Sequence, residues 1–444
     1  MSFKNFKKVD NRTVTFTLEN VHVSYANTLR RLILTGVETV AFRADMTDTG
    51  TTTDVFVKKN DTPMTNEMLA DRIGLLPIHV NEPLSWKSDK YIFTLKVTGN
   101  KDSVRHVKSE DFKVTETNFE DEEDKKENPP LEDASKFFPP NPITRDTCLI
   151  ASLQPGTETT MQEVYIVAKA TIGSGREHAR FCPVSQCSYE YTVDTDEKRM
   201  DEMFDKWLQD AKKVGAIDKA SDRYHQLRRE YNTMQSKRCF KVNEKGEPYS
   251  FDFTIETAGV LGIKYIVNRA CEVGENMCAP YLHMEKGQLP PNVSITNSSS
   301  RILGFDFLIK EQDHTLGNLV QTWLVENIIE GDKSPKISYA GYSIPHPLRD
   351  EMLLRIGVKD GKEQTARLAL QTAADGCRQM FKELRAAWNN AYDVFERNPL
   401  ASPRPIPIPA RRRRPQGATA ALSTGSKPAE DKPQEEKITV TKSS

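Results

Sequence analysis

His178 and Cys182 stand four residues apart and invite thiol chemistry, with the imidazole as base. A thiol catalyst also needs an orienting acid and an oxyanion site. Neither is supplied nearby, so a thiol hydrolase built on this pair ranks last among the readings. The remaining cysteines are poor ligands. Neither Cys182 with Cys187 nor Cys271 with Cys278 forms the Cys-x-x-Cys knuckle usual for zinc. Small buried hydrophobes are their expected role. No Gly-x-x-x-x-Gly-Lys-Ser/Thr loop is present for nucleotide phosphates. The paired-aspartate loop that would hold catalytic magnesium is also missing. Cations remain as the chemistry to place. Arg30 and Arg31 are adjacent, and Arg72 follows; an Arg fork pairs carboxylates and carbonyls at interfaces. Arg411 to Arg414, behind a proline-rich stretch, form a strongly basic cluster. It suits a solvated tail, a nuclear-localisation signal or phosphate contact.

The bulk chemistry narrows these options. The 444 residues exceed one ordinary core and call for two or three domains. Hydrophobic content of 37% and charged content of 28% are globular values. A formal net charge of -1 gives no global field toward nucleic acid or an anionic membrane. A stand-alone nucleic-acid-binding protein acting through the basic tail is the alternative reading, and this balance counts against it. No run reaches the roughly 18 apolar residues of a membrane span. Residues 1–8 lack the apolar stretch of a signal peptide. Seven scattered cysteines, an odd number, fit a reducing, intracellular compartment.

Periodicity places the elements. Val14, Phe16 and Leu18 alternate as a half-buried strand. A helix over about 25–40 is predicted from Leu29, Leu32, Ile33, Val37 and Val40, with Ser24 as N-cap and the arginines off the stripe. Further strands are expected at 91–97, 148–153, 164–170 and 251–255, with a helix from about 262. Residues 119–142 begin with an acidic run and continue into two proline pairs, a solvated irregular loop. A charged helical insertion is expected at 197–235. Gly, Pro and Ser mark 285–300 as a linker. Beyond it come a strand (302–310), a helix (about 316–329), strands (335–340, 352–358) and a long helix (about 364–395). Residues 398–444 read as a disordered tail.

Five stretches carry a resemblance. They are Ala26-Asn27-Thr28-Leu29-Arg30-Arg31-Leu32, Arg72-Ile73-Gly74-Leu75-Leu76-Pro77-Ile78 and Gly175-Arg176-Glu177-His178-Ala179-Arg180-Phe181-Cys182-Pro183-Val184. The other two are Glu311-Gln312-Asp313-His314-Thr315-Leu316-Gly317-Asn318 and Ala340-Gly341-Tyr342-Ser343-Ile344-Pro345-His346-Pro347-Leu348. The chain resembles the alpha-like assembly subunits of multisubunit RNA polymerase: the bacterial alpha homodimer, the archaeal D and L pair, and the third-largest and eleventh subunits of eukaryotic polymerase II. Residues 12–80 and 146–270 are similar to the larger partner, and 302–395 to the smaller. Both partners lie in one polypeptide, a fusion similar to those that large cytoplasmic DNA viruses encode.

The resemblance implies an α+β fold with two alpha-like dimerisation units paired within one chain. The larger would comprise 1–80 and 250–284, carrying an inserted mainly β domain at 81–249 with the helical insertion at 197–235. The linker at 285–300 would lead to the smaller unit at 301–397. It implies a non-catalytic scaffold with no cofactor. Asn27, Leu29, Arg30, Arg31, Arg72, Glu177, His178 and Arg180 would face other subunits. Leu32, Ile33 and Val37 would pair within the chain with His314, Leu316, Gly317, Leu319, Trp323, Leu384 and Trp388. Gly317, lacking a Cβ, would admit a partner helix closely. The implied partners are the largest and second-largest polymerase subunits and small zinc-bearing subunits similar to the tenth and twelfth. DNA and RNA would be reached only through the complex, and no membrane is involved. A viral origin implies the host cytoplasm and the virion, while the arginine run leaves the nucleus open. Eukaryotic larger partners carry a four-cysteine zinc cluster after the Gly-Leu-x-Pro turn. Residues 80–96 hold no cysteine here, so no metal is expected.

Overall fold

The computed structural model describes residues 1–397 except 48–51, 117–130, 158–159, 214, 216, 285–288 and 299–300. The acidic run and the arginine-rich tail lie outside the described residues. The chain begins β1 (Ser2–Lys8), β2 (Thr13–Glu19), α1 (Val23–Thr35), β3 (Glu38–Ala41), β4 (Val55–Asn60) and α2 (Asn66–Gly74). It continues β5 (Tyr91–Thr98), β6 (Arg105–Lys108), β7 (Phe112–Glu116), β8 (Leu131–Glu132), β9 (Leu149–Leu153), β10 (Glu163–Ala168), β11 (Thr171–Ser174) and β12 (Val184–Tyr191). Then come α3 (Glu197–Asp210), α4 (Asp222–Met234), β13 (Ser250–Thr257) and α5 (Ile263–Cys278). The last part is β14 (Val293–Asn297), β15 (Gly304–Lys310), α6 (His314–Leu324), β16 (Tyr339–Ser343), β17 (Glu351–Gly357) and α7 (Glu363–Arg397).

Two four-stranded antiparallel sheets, ordered β1-β2-β13-β12 and β14-β15-β17-β16, contribute to one continuous core with α1, α5, α6 and α7. The alternation in β2 works as expected: Val14, Phe16 and Leu18 are buried, and Phe16 stacks on Phe253 of β13 at 5.3 Å. A second core gathers residues from Val40 to Ala170 around the sheet β4-β10-β5-β7-β8. The α3–α4 hairpin has its own small core of Phe204, Leu208 and Tyr231.

Several boundaries differ from the sequence expectation. The first helix stops at Thr35; Gly36 closes it, and Val40 belongs to a strand rather than to the helical stripe. Its N-cap is His22, whose ring accepts from the Ser24 N–H. Residues 42–78 pack into the second core, so the larger dimerisation unit does not extend to 80. Strand β12 pairs with β13, placing 184–191 in the dimerisation sheet and outside the inserted β domain. The helical insertion therefore interrupts two neighbouring strands of that sheet. The stretch 285–300 is not all linker, because β14 within it pairs along β15. Backbone groups there find a ladder, which the Gly, Pro and Ser content alone did not signal. The third strand of the smaller unit begins at Tyr339 rather than at 335.

Candidate functional site

The two halves of the chain meet along a seam built mainly by α5 and α7. On α5 the residues Ile263, Ile266, Val267, Ala270, Cys271, Gly274 and Cys278 are buried at helical spacing. On α7 the matching stripe includes Ala373, Cys377, Phe381, Leu384 and Trp388. The Trp388 indole reaches the larger half's sheet, lying 5.2 Å from Phe3 and 5.1 Å from Phe16. Its N–H donates to the Lys264 carbonyl at 3.2 Å, so this large ring enters the core without an orphan donor. Cys278 and Cys377 are buried neighbours across the seam, and burial holds the Cys377 thiol well above its ordinary pKa.

Polar contacts fix the register of the seam. Ser24 of α1 accepts from Asn318 at 3.2 Å and Thr322 at 3.0 Å. The Tyr25 hydroxyl donates to Glu326 at 2.6 Å; burial first, and then that carboxylate, push the phenol's pKa upward. Arg31 donates through Nε to Thr315 at 2.8 Å and pairs with Asp313 at 3.1 Å. Burial alone would raise the Asp313 carboxyl, but hydrogen bonds from Thr315 and the charges of Arg31 and Arg176 hold it below its ordinary value. Arg176 reaches across the halves, with Nη2 on both oxygens of Asp350 at 2.7 and 2.9 Å and Nη1 donating to the Glu311 carbonyl at 3.2 Å.

The candidate pairing residues Leu32, Ile33, Val37, Leu316, Leu319, Trp323, Leu384 and Trp388 all lie in this one core. His314 and Gly317 have other duties. His314 meets the Tyr342 hydroxyl at 3.2 Å within the smaller half. A Cβ on Gly317 would strike Tyr342 and Met352, so its close approach is to its own sheet rather than to a partner helix. The glycine that admits a helix from the other half is Gly274, where a Cβ would stand 2.8 Å from the Phe381 ring. Its place within the α5 stripe was the available signal.

The residues expected to face other subunits divide. Leu29 is 0% exposed and belongs to the core. Arg31 is spent on the seam. Glu177 holds Arg43 with both oxygens, the second at 2.8 Å, and that hydrogen bonding lowers its carboxyl pKa. The Arg180 side chain is only 2% exposed; it donates to the Phe42 carbonyl at 2.8 Å and to the His178 ring at 3.0 Å. Glu177, His178 and Arg180 thus clasp their loop onto the second core, a task for which Arg43 went unnoticed in the sequence. Arg30 donates through Nε to Asn27 at 3.0 Å and is half-buried beside β12. Arg72 is exposed on α2 and donates to the Leu149 carbonyl at 3.1 Å. Asn27, Arg30 and Arg72 are the members still open to a partner.

The thiol-hydrolase reading finds no support. Burial raises the Cys182 thiol, the reverse of an activated nucleophile, and the His178 ring nitrogen already accepts the Arg180 N–H. Within residues 80–96, where the resemblance would put a zinc cluster, Trp86 stacks on Tyr91 at 5.0 Å and meets Phe137 edge-on at 6.1 Å. An aromatic cluster offers no zinc ligands, so these residues do not fit the metal. Among the described residues, no group of three or more His, Cys, Asp or Glu could hold one. Among them also, no helix is long and apolar enough to cross a membrane.

The family described as RNA polymerase Rpb3/Rpb11 dimerisation domain matches this chain twice, over residues 15–278 and 305–387. The chain is 28% identical over 207 residues to the DNA-directed RNA polymerases I and III subunit RPAC1 of Homo sapiens, covering 43% of this chain and 56% of that protein. It is 25% identical over 283 residues to the DNA-directed RNA polymerase subunit Rpo3 of Methanosphaera stadtmanae, covering 62% of this chain and 94% of the other. A probable RPAC2 subunit of polymerases I and III from Caenorhabditis briggsae is 31% identical over 86 residues, 19% of this chain and 53% of its own length. The chain thus spans little more than half the length of the RPAC1 and RPAC2 relatives. With one match covering more than half of its 444 residues and a second in the other half, the chain belongs to the RNA polymerase Rpb3/Rpb11 dimerisation domain family, with two such domains in one polypeptide.

Proposed function

We propose that this chain is a non-catalytic assembly scaffold of a multisubunit DNA-directed RNA polymerase, an intramolecular counterpart of a two-chain heterodimer. The observation that carries the reading is the single continuous core running from Phe3 through α5 to Trp388 and Tyr392, which joins both matched segments. The paired halves form a platform for the largest and second-largest subunits. Asn27 and Arg30 on α1, with Arg72 on α2, meet the second-largest subunit. Small zinc-bearing subunits similar to the tenth and twelfth brace the assembly. Catalytic magnesium and nucleotide chemistry belong to the large partners. In a large DNA virus the protein would act in the host cytoplasm and be packaged in the virion.

The test is co-expression of the full chain with the second-largest subunit. Arg30→Glu leaves the chain folded, because Arg30 makes no ion pair among the described residues, and it blocks recovery of that subunit in a pull-down. Normal co-purification of the variant would reject the α1 contact. Arg31 is unsuited to this test, since its loss also injures the seam.

A further inference from the structure

Helices α5 and α7 run antiparallel, and their side-chain contacts keep one register. Asn389 donates to Asn268 at 2.9 Å, Arg385 donates to Glu272 at 2.7 Å, and Phe381 lies against Gly274. Each step toward the C-terminus of α5 is matched by a step back along α7. One turn beyond Gly274 this register sets Cys278 opposite Cys377, and the two thiols are hydrogen-bond partners. Both are fully buried. Cys278 ends α5 in the larger half, and Cys377 is the only cysteine in the sequence after it. We propose that Cys278 and Cys377 form a modification site, a latent disulfide that clasps the two halves of the chain together under oxidation.

A disulfide needs Cα atoms roughly 4.4–6.8 Å apart, closer than most facing residues on helices whose axes are about 8–10 Å apart. The missing side chain at Gly274 is what draws α5 and α7 together, and the cysteine pair lies one turn from that closest approach. The redox step balances with a low-molecular-weight disulfide such as oxidised glutathione. One protein thiolate attacks it, its S–S bond breaks, and a first glutathione thiolate leaves a mixed disulfide behind. The second protein thiolate attacks the protein sulfur of that mixed disulfide and expels the second glutathione thiolate. Two protein thiols are oxidised, one disulfide is reduced, and the two protein protons end on the released glutathiones. Burial sets the rate. It keeps the Cys377 thiol protonated and away from solvent, so the closed seam resists attack. Exchange proceeds through local opening between α5 and α7. The pair therefore stays reduced where glutathione is reduced and responds to sustained oxidation. The bridge would close a loop of about 100 residues, a length at which a cross-link strongly restricts the unfolded chain.

This inference is independent of the scaffold reading, and either can fail alone. The full chain, with a protease site introduced within 285–288, is incubated with oxidised glutathione, in buffer and in urea below the unfolding transition. Free thiols are then alkylated, the site is cut, and the fragments are separated in detergent without reductant. Because Cys377 is the only cysteine beyond the cut, any covalent link between the fragments must include it. The fragments should run as one band that dithiothreitol splits. Urea should speed the linkage several-fold, as opening of the seam limits it. Cys278→Ser should leave two separate bands, while Cys271→Ser, one register step too early on α5, should leave the link intact. Peptide mapping of the unmutated chain should recover Cys278 joined to Cys377, which needs no variant to fold. The oxidised chain should also unfold at a higher urea midpoint than the reduced one, and Cys278→Ser should abolish that difference. Three results would overturn the proposal. One is separate fragments from the oxidised parent at every urea concentration below unfolding. Another is a link that survives Cys278→Ser. The third is a mapped bridge from Cys377 to any other cysteine.

Discussion

The ring of Phe381 on α7 occupies the space that a side chain at Gly274 on α5 would need. A Cβ at 274 would stand 2.8 Å from three of the ring's atoms. Phe381 is fully buried, so it has no free volume into which to retreat. The two helices of opposite halves can approach this closely only because one of them lacks a side chain there.

Gly274→Val should therefore open the seam. Helix propensity alone would favour replacing a mid-helix glycine, by up to about 1 kcal/mol for Ala. Overpacking a filled core opposes this at roughly 1–3 kcal/mol, and a β-branched side chain makes the clash larger. Urea unfolding should give a lower midpoint. Pairing Gly274→Val with Phe381→Ala should recover part of the loss, as contacting residues couple in a double-mutant cycle. Additive losses would mean that the two positions do not meet.

Trp388 makes a separate demand on the same seam, since it joins α7 to β1 and β2 as well as to the Lys264 carbonyl in the first turn of α5. Trp388→Ala should cost about 3–5 kcal/mol, the range for emptying a buried aromatic site. Loss of protection from hydrogen exchange should reach β1, whose Phe3 and Phe6 both contact the indole. An effect confined to α7 would contradict that placement.

Much of this fold was legible because its signals are local. The alternation of Val14, Phe16 and Leu18 and the stripe from Leu370 to Trp388 each record burial on one face of one element. What escaped depends on which elements meet. Val37 and Val40 continue the period of the first helix, yet Gly36 ends it and hands Val40 to a strand. Gly317 sits in a conspicuous motif and serves its own sheet, while Gly274, in the helix expected from about 262 but in none of the quoted motifs, serves the other half. Arg31 looks as free in sequence as Arg30, and only the tertiary position of Asp313 separates them. Glu177 and Arg180 were candidates for an outward surface, but Arg43 and the Phe42 carbonyl, more than 130 residues earlier, turn them inward.

The Arg31–Asp313 pair predicts an acid sensitivity. Asp313 is more acidic in the folded chain than in the unfolded one. Its contribution is therefore fully present above the unfolded carboxylate value of about 4 and is lost as pH falls through the lower folded value. Both side chains are about one-third exposed, so the ion pair itself is worth less than about 1 kcal/mol after screening. The hydrogen bond from the Thr315 N–H to Asp313 at 2.7 Å adds a helix cap of similar size. Asp313→Asn, which can still cap, should lower stability modestly at pH 7, and the gap from the parent should close below about pH 4. A gap that widens in acid would reverse the assigned sign. Exchanging the charges, Arg31→Asp with Asp313→Arg, should restore part of what either change alone removes.

Cutting the chain within 285–288 tests whether the seam or the covalent link holds the halves together. The cut must fall before β14, because Val293–Asn297 pairs with β15 and travels with the smaller half. The core that unites Phe16, Ile266, Phe381 and Trp388 is contiguous across the break, so the nicked protein should elute from a sizing column as one species at micromolar concentration. The tether contributes effective concentration, in the millimolar range for a short connection. Without it, unfolding becomes a dissociation, and the thermal midpoint should rise with protein concentration as mass action requires. The uncut chain should show no such dependence. Fragments that separate at micromolar concentration would make the tether, and not the α5–α7 packing, the element that keeps the two domains paired.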